Sequence, residues 1–138
     1  ISWVFGINGN NFIKTMLRLG KERSEINVVA DQIGSPTYTA DLAPLLCDLA
    51  ATDKYGTYHA TKTGTCSWAE FAEEIFRLAG INCQVKRIAT AEYPTKAVRP
   101  QNSRMSKKSL SEAGFPCLPL WQEAVARYLK EMGINGNA

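Results

Sequence analysis

The chain has 138 residues, of which 45% are hydrophobic and 21% charged, and its formal net charge is +3. This composition is typical of one globular domain, and the charge is too small and too mixed in sign to indicate a nucleic-acid partner. No apolar run approaches the roughly 20 residues that span a bilayer, and no signal segment is present, so we expect a cytoplasmic protein without membrane contact.

The cysteines give no sign of a metal or redox site. They are far apart, form no Cys-x-x-Cys pair and accompany a single histidine, His59. We therefore predict no metal site and expect reduced, mostly buried thiols, with two disulfides as the open alternative.

The chain begins inside an apolar run, Ile1 to Phe5, that alternates like a strand and has no initiator methionine. A strand without a neighbour leaves backbone groups unpaired, so we expect a fragment of a longer fold. A turn rich in glycine and asparagine follows, and an amphipathic helix is predicted from about Asn11. Gly6-x-x-Gly9 lacks the third glycine of a dinucleotide-binding loop, so we predict no such site there.

The polar segment Asp31-Gln32-Ile33-Gly34-Ser35-Pro36-Thr37 is the first candidate binding site. It follows a predicted strand, Ile26 to Ala30, and precedes a predicted helix, Thr39 to Ala51, for which Thr39 is the expected cap. Ligands of open α/β sheets bind at the carboxyl ends of strands, so we expect a ligand loop without regular structure. An ordinary solvated loop is the alternative.

The second half of the chain alternates between strands and helices. Ser67-x-x-Glu70 predicts a capping box at the start of a helix that ends at Gly80. The other predicted elements are strands at Tyr55 to Ala60 and Cys83 to Ile88, an irregular segment at Thr90 to Ser103, helices at Ser106 to Ala113 and Leu120 to Met132, and a frayed end at 133–138.

Three further features of the sequence could have a catalytic or binding role. Tyr58 and Lys62 have the Tyr-x-x-x-Lys spacing of short-chain dehydrogenases, but that pair needs one helix face, whereas these residues fall on a predicted strand and turn. We therefore treat the match as accidental, and assign His59 a structural role. Arg99 or Arg104 could make a bidentate contact with a phosphate, and Asn102 could bind a base or sugar edge, although a solvated surface loop is the commoner outcome.

Taken together, several segments resemble one family along nearly the whole chain, the dTDP-4-dehydrorhamnose reductases. These segments are Ser2-Trp3-Val4-Phe5-Gly6, Asn11-Phe12, Val29-Ala30-Asp31-Gln32-Ile33-Gly34-Ser35-Pro36-Thr37, Gly56-Thr57-Tyr58-His59, Ser67-Trp68-Ala69-Glu70-Phe71-Ala72 and Arg99-Pro100-Gln101-Asn102-Ser103. The family makes dTDP-L-rhamnose with NADPH on an extended short-chain dehydrogenase fold. The resemblance covers only its carboxyl-terminal half.

The resemblance implies an α/β fold, the carboxyl-terminal part of a Rossmann-like protein with a few short strands and about five helices. Residues 1–138 would form a single substrate-binding portion without the amino-terminal NADP-binding domain. Trp3, Gln32, Arg99 and Asn102 would bind the dTDP-sugar, and Ser2 would lie near the nicotinamide. No catalytic residue is expected within the chain, because the family's catalytic threonine and Tyr-x-x-x-Lys helix precede Ile1.

The resemblance leaves other features open, namely a homodimer and a divalent metal ion. It also leaves two rival functions: a non-catalytic regulatory subunit on the same fold, such as that of methionine adenosyltransferase, and a sibling nucleotide-sugar epimerase or reductase. In each case NADPH would be bound mainly by the part of the fold that precedes Ile1.

Overall fold

The computed structural model describes residues 1–136. Five α-helices are present within this range: α1 (Phe12–Glu22), α2 (Thr39–Ala50), α3 (Trp68–Ala79), α4 (Lys108–Glu112) and α5 (Trp121–Glu131). The strands are short: β1 (Val4–Phe5), β2 (Glu25–Val29), β3 (Ile33–Gly34), β4 (Thr37–Tyr38), β5 (Lys62–Thr63), β6 (Cys66–Ser67), β7 (Gln84–Ile88) and β8 (Leu118–Leu120). A single 3-10 turn spans Thr90–Glu92.

The strands form four two-stranded sheets within the described residues. Three pairs are parallel, β1 with β4, β2 with β7 and β5 with β8, whereas β3 and β6 are antiparallel. The longest is the β2–β7 pair, whose register runs from Glu25 opposite Gln84 to Val29 opposite Ile88. Because parallel strands need a crossover, the β2–β7 pair holds distant parts of the chain together.

The main hydrophobic core lies among α1, α3 and α5 and contains several stacked aromatic rings. Phe5 stacks on Tyr38, and the edge of Tyr128 meets both rings. The tyrosine hydroxyl of Tyr128 is satisfied inside the core, since it donates to the Gly6 carbonyl and accepts from Asn11. A second, smaller cluster lies between α2 and the later connections, with these buried members: Leu42, Leu45, Ala60, Leu110 and Leu118.

Two predicted helix termini are confirmed, those of α3, and α1 begins next to Asn11 as expected. Asn11 caps α1 by accepting from the Lys14 amide, and the capping box of Ser67 and Glu70 is complete at α3. Gly80 ends α3 in the left-handed region, at φ 66°. These short-range signals involve neighbouring residues only, so the remaining fold has little influence on them.

Several predicted elements are wrong in detail. The first strand covers only Val4–Phe5, because Trp3 adopts a φ of 48° that no strand allows. Tyr55 to Ala60 forms no strand; the pairing segment is β5, just after it. Thr39 does not cap α2, since Tyr38 holds the cap position and makes no side-chain bond there.

The segment from Asp31 to Thr37 is not the irregular surface loop that was predicted. It contains β3 and leads into β4, and its hydroxyl-bearing residues Ser35 and Thr37 are 1% and 0% exposed. Ser35 donates to the Gly64 carbonyl. The hydroxyl groups of Ser35 and Thr37 are therefore buried and hydrogen-bonded inside the protein rather than exposed to water.

Two other expectations are corrected in part. Two of the four thiols are buried, Cys66 and Cys83, whereas Cys47 and Cys117 are exposed, and all four are free. The predicted fraying at 133–138 does not begin at once, because Ile134 packs against the core and its amide donates to the Leu129 carbonyl. Residues 137–138 lie outside the described range.

Candidate functional site

A cleft of about 1030 Å³ runs along β2 and ends beside the first residues of the chain. Its lining comes from α1, from β2, from the start of α3 and from the irregular segment after β7. Four of the five residues nominated from the sequence line it together: Ser2, Trp3, Gln32 and Arg99. Residues separated by almost a hundred positions thus share one concave surface, which is the usual setting of a small-molecule site.

The long side of the cleft is an open strand edge. All five residues of β2 line the cleft, although alternate side chains of a strand point to opposite faces. The Gln84 amide donates to the Ser24 carbonyl and the Ala30 amide donates to the Ile88 carbonyl. Because the direction alternates along a strand, the amide and carbonyl groups of Ile26 and Val28 also point toward β7, and those of Asn27 and Val29 point away from it. Within residues 1–136, β2 pairs with β7 and no other strand, and no turn or loop hydrogen bond reaches these groups of Asn27 and Val29. The amide and carbonyl groups of Asn27 and Val29 are therefore available to a ligand along the open edge of β2.

Trp3 stands at the end of the cleft between two close neighbours. Its ring stacks on that of Trp68, with centroids 3.7 Å apart and planes 15° apart. A β-carbon on Gly34 would lie 2.6 Å from Cε2 of Trp3 and 2.8 and 2.9 Å from the two adjacent ring atoms Cζ2 and Nε1. Because the central atom is nearest, Gly34 lies over a face of the ring. The stacked Trp68 ring, at 3.7 Å, already covers one face, so Gly34 must lie on the other. The edge of the indole is left to face the cleft.

Gln32 is almost fully enclosed, at 9% exposure, and both ends of its amide are engaged. Its Oε1 accepts from the indole nitrogen of Trp68 at 3.2 Å, and its Nε2 donates to Oγ1 of Thr90 at 3.2 Å. Thr90 in turn donates its hydroxyl proton to Asp31 at 2.6 Å. The hydrogen bonds from the side chain and the backbone of Thr90 hold the pKa of the Asp31 carboxyl below its ordinary value.

The remaining nominated residues differ in their surroundings. Ser2 donates its hydroxyl to the Ser35 carbonyl at 3.0 Å, which leaves the oxygen lone pairs for an incoming donor. Arg99 is exposed and forms no ion pair within residues 1–136. Asn102 is not among the residues lining the cleft, and its side-chain oxygen accepts from the amide and Nε of Arg104.

The Arg99 segment is anchored to the rest of the site by its backbone. The Ile33 amide donates to the Gln101 carbonyl, and the Ser103 amide donates to the Ile33 carbonyl, both at 2.8 Å. This pairing of residues 101–103 with β3 carries Arg99 to the cleft. Asn102 occupies the bridging position opposite Ile33, so its backbone contributes to the position of the segment.

Sequence reasoning missed three residues of the cleft. Arg23 ends α1 and gives the cleft a second exposed arginine, at the opposite end of β2 from Gln32. Asn27 contributes the open backbone edge. Trp68 was interpreted only as the first residue of a helix, although its neighbour Ser67 fixes its position. The position of Trp68 directly after a capping residue could have indicated its place in the cleft. No local pattern indicated that Arg23 or Asn27 would line it.

Two sequence features to which no chemical role was assigned, the Tyr58–Lys62 spacing and the Gly6 to Gly9 turn, have structural roles. Lys62 lies on β5, is 0% exposed and pairs with Asp41, while Tyr58 is in a loop, so the two do not share a helix. The Gly6 to Gly9 turn is held by Lys14, whose ammonium donates to the carbonyls of Ile7 and Gly9 at 2.5 and 2.7 Å. A phosphate would meet carbonyl oxygens there as well as the lysine.

Within residues 1–136, no group of three or more histidine, cysteine or acidic side chains is arranged to hold a metal ion. None of the helices in this range combines the length and apolar character required to cross a bilayer. Ser2 is the single residue of this chain that the family resemblance places near the cofactor.

Comparison with known proteins identifies the family. A family model described as the RmlD substrate binding domain matches residues 1–134. The chain belongs to this family. Among relatives, dTDP-4-dehydrorhamnose reductase of Aggregatibacter actinomycetemcomitans is 45% identical over 137 residues, covering 90% of this chain and 46% of the relative. Spore coat polysaccharide biosynthesis protein SpsK of Bacillus subtilis is 43% identical over 130 residues, covering 94% and 45%.

This RmlD-type domain also matches a solved structure closely. The crystal structure of dTDP-4-dehydrorhamnose reductase from Bacillus anthracis in complex with NADP superimposes with a TM-score of 0.88 at 50% identity, covering 94% of this chain and 45% of that one. The expected fold class, the carboxyl-terminal part of an extended short-chain dehydrogenase, is confirmed. The chain spans about half the length of the relatives that it matches.

Proposed function

We propose that residues 1–138 form the substrate-binding part of an NADPH-dependent reductase that converts dTDP-4-dehydro-L-rhamnose to dTDP-L-rhamnose. The observation that carries this proposal is the shared cleft. Ser2, Trp3, Gln32 and Arg99 line it together, in a chain whose relatives include proteins named dTDP-4-dehydrorhamnose reductase. An amino-terminal NADP-binding domain would supply the other wall of the site.

The chemistry of the cleft suits each part of a dTDP-sugar. Thymine presents an N–H between two carbonyl groups, a pattern that the free carbonyl of Asn27 and the free amide of Val29 can match along the β2 edge. The guanidinium of Arg99 has no ion pair within residues 1–136 and can take a diphosphate oxygen pair in a bidentate contact. At the other end, Trp3 would lie beside the deoxysugar, and Ser2 would lie near the nicotinamide.

Asn102 remains a proposed substrate contact of a different kind. In the ligand-free geometry its side-chain oxygen is used by Arg104, whereas its amide nitrogen stays available for a sugar or phosphate oxygen. The family resemblance, together with the NADP complex of the Bacillus anthracis relative, supports assigning NADPH mainly to an amino-terminal domain. When bound there, NADPH would supply the hydride, and this chain would hold and orient the sugar.

The decisive experiment uses the full-length protein that contains this chain. We expect NADPH oxidation that depends on dTDP-4-dehydro-L-rhamnose, with dTDP-L-rhamnose as the product. Calorimetric titration with dTDP, UDP and GDP then examines the nucleotide, and dTDP should bind best. Equal affinity for all three nucleotides, or consumption of NADPH without a rhamnose product, would count against the proposal.

The two alternative functions give different results in the same assays. A sibling epimerase or reductase would act on another nucleotide-sugar, with affinity shifted to UDP or GDP. A regulatory subunit would bind a nucleotide-sugar or NADPH without turning either over. Its upstream sequence would also lack an intact Tyr-x-x-x-Lys helix, which the reductase needs for proton transfer.

A further inference from the structure

Four side chains form one continuous hydrogen-bonded path beneath the cleft. The indole nitrogen of Trp68 donates to Oε1 of Gln32 at 3.2 Å, and Nε2 of Gln32 donates to Oγ1 of Thr90 at 3.2 Å. The Thr90 hydroxyl donates to Asp31 at 2.6 Å, and the Thr90 amide donates to the same carboxylate at 2.9 and 3.0 Å. The path thus joins the first residue of α3 to the turn after β7.

The direction of every bond along this path follows from the groups themselves. An indole N–H can only donate, and an ionised carboxylate can only accept. Because Thr90 gives its single hydroxyl proton to Asp31, it must accept from Gln32, and this turns the amide oxygen of Gln32 toward Trp68. One orientation of the Gln32 amide therefore satisfies both ends of the path.

The hydrogen-bonded path fixes the position of Trp68, whose ring packs against Trp3. Trp68 stacks on Trp3 at 3.7 Å, and Gly34 closes the opposite face of the Trp3 ring. Trp3 is also held at a φ of 48°, an uncommon conformation for a bulky residue, which persists only where the surroundings enforce it. Rotation of Trp68 would remove one side of this enclosure.

We propose that Asp31, Thr90 and Gln32 are positioning residues that fix Trp68 and, through it, the edge of Trp3 that faces the cleft. Gln32 then acts on a bound ligand through Trp68 more than by contact of its own. The expected effect on the affinity for a dTDP-sugar rests on the proposed function. The expected effect on the positions of the Trp68 and Trp3 rings does not.

Thr90 is the informative position, because it belongs to the path but not to the lining of the cleft. Thr90→Val keeps the shape of the side chain and removes the hydroxyl, which breaks the link between Gln32 and Asp31. Thr90→Ser keeps the hydroxyl and serves as the matched control. Gln32→Leu removes the acceptor of the Trp68 indole directly.

The first measurement needs no ligand. In the ¹⁵N-labelled full-length protein, the Trp68 indole N–H signal is assigned by its loss in Trp68→Phe, and its exchange with D₂O is followed by NMR. We expect exchange to be roughly fivefold to tenfold faster in Thr90→Val and Gln32→Leu, the loss of about one net hydrogen bond, and unchanged in Thr90→Ser. Unchanged exchange and chemical shift in both Thr90→Val and Gln32→Leu would overturn the proposal.

The second measurement is the affinity for the dTDP-sugar by calorimetry. Thr90→Val should weaken it roughly fivefold, and Thr90→Ser should restore it. A loss in Gln32→Leu without any loss in Thr90→Val would mean that Gln32 contacts the ligand directly, and would also overturn the proposal. Absence of dTDP-sugar binding by the wild type would contradict the proposed function alone, since the indole exchange is measured without ligand.

Discussion

At Gly34 the backbone of β3 lies directly against the indole of Trp3. A β-carbon there would come within 2.6 Å of the ring, closer than any ordinary van der Waals contact, so glycine is required by the neighbour rather than by its own backbone angles. The sequence offered Gly34 only as an interruption of regular structure. Its actual role depends on a residue 31 positions earlier, which no local pattern reveals.

Gly34→Ala should therefore displace Trp3 and destabilise the protein by about 1–3 kcal/mol, the usual cost of overpacking. The free energy of unfolding is measured by urea denaturation. The same change in a Trp3→Ala background should cost much less, because the ring that the methyl group meets is absent. Equal costs in both backgrounds would show that the contact with Trp3 is not the cause.

Asp41 is the second residue whose partners come from far along the chain. It accepts from the buried ammonium of Lys62 and, at 2.6 Å, from Nη2 of Arg127, which also bonds Glu123. Burial by itself would raise the pKa of Asp41, but the hydrogen bonds from Arg127 and Lys62 outweigh it and lower the pKa below its ordinary value. Lys62 is 0% exposed, so it depends on this carboxylate for its charge.

Asp41→Asn should destabilise the protein by about 3–5 kcal/mol, since it leaves an ammonium buried without a counter-charge. Lys62→Met should cost less, about 1 kcal/mol, because Asp41 keeps Arg127 and the methionine fills the space. Urea denaturation at pH 7 compares the two variants. A larger loss for Lys62→Met than for Asp41→Asn would contradict this account.

The pH dependence of stability in the wild type and in Asp41→Asn tests the same ion pair. Because the folded-state pKa of Asp41 lies below the unfolded value of about 3.9, its stabilisation is present above about pH 4 and is lost as the pH falls through the folded value. The gap between wild type and Asp41→Asn should therefore narrow between pH 7 and pH 3. A gap that stays constant would show that ionisation of Asp41 does not contribute.

At the scale of elements, α3 links the core to the candidate site. Its apolar face, with Phe71, Ile75 and Phe76, is buried, while its first residue, Trp68, forms part of the cleft. The capping box at Ser67 sets where the helix begins and hence where Trp68 stands. The sequence predicted this cap correctly, because both partners lie within one turn.

Ser67→Ala should lower the free energy of unfolding by about 0.5–2 kcal/mol, the usual cost of removing an N-cap. Glu70→Gln is the matched control and should cost less, because glutamine can still complete a capping box. Thermal and urea denaturation measure both. If Ser67→Ala leaves the stability unchanged, the cap does not determine the start of α3.

At the scale of the whole molecule, the chain corresponds to about half the length of its relatives. It spans 45% and 46% of two relatives, and its cleft is bounded on one side by the open edge of β2. The cleft supplies hydrogen-bonding groups and two exposed arginines, Arg23 and Arg99. Binding and orientation are the tasks that these groups can perform.

We accordingly expect the isolated 138-residue chain to oxidise no NADPH in the presence of dTDP-4-dehydro-L-rhamnose, since the cofactor site and the general acid would lie in the amino-terminal domain. The full-length protein, assayed in parallel, is the control and should turn over. Circular dichroism of the isolated chain confirms that it is folded before the assay. Measurable turnover by a homogeneous preparation of the chain would refute the assignment of catalysis to the amino-terminal domain.

The sequence by itself determined the elements whose signals are local. The helix caps at Ser67 and Gly80, the start of a helix near Asn11 and the amphipathic faces of the helices were predictable, because the interacting residues lie within one or two turns. The motif of Asp31 to Thr37 and that of Arg99 to Ser103 also indicated the family, which the comparison confirms. Short strands were not predictable in the same way: the expected strand at Tyr55 to Ala60 is absent.

The tertiary structure decided what those motifs do. It converted a predicted polar loop into buried strands and exposed the edge of β2. It also placed Trp68 against Trp3, and placed Thr90 between Gln32 and Asp31. The physical reason is the range of the interactions: a two-residue strand or a single hydrogen bond is too weak to form alone, so its position depends on partners that only the complete fold brings together.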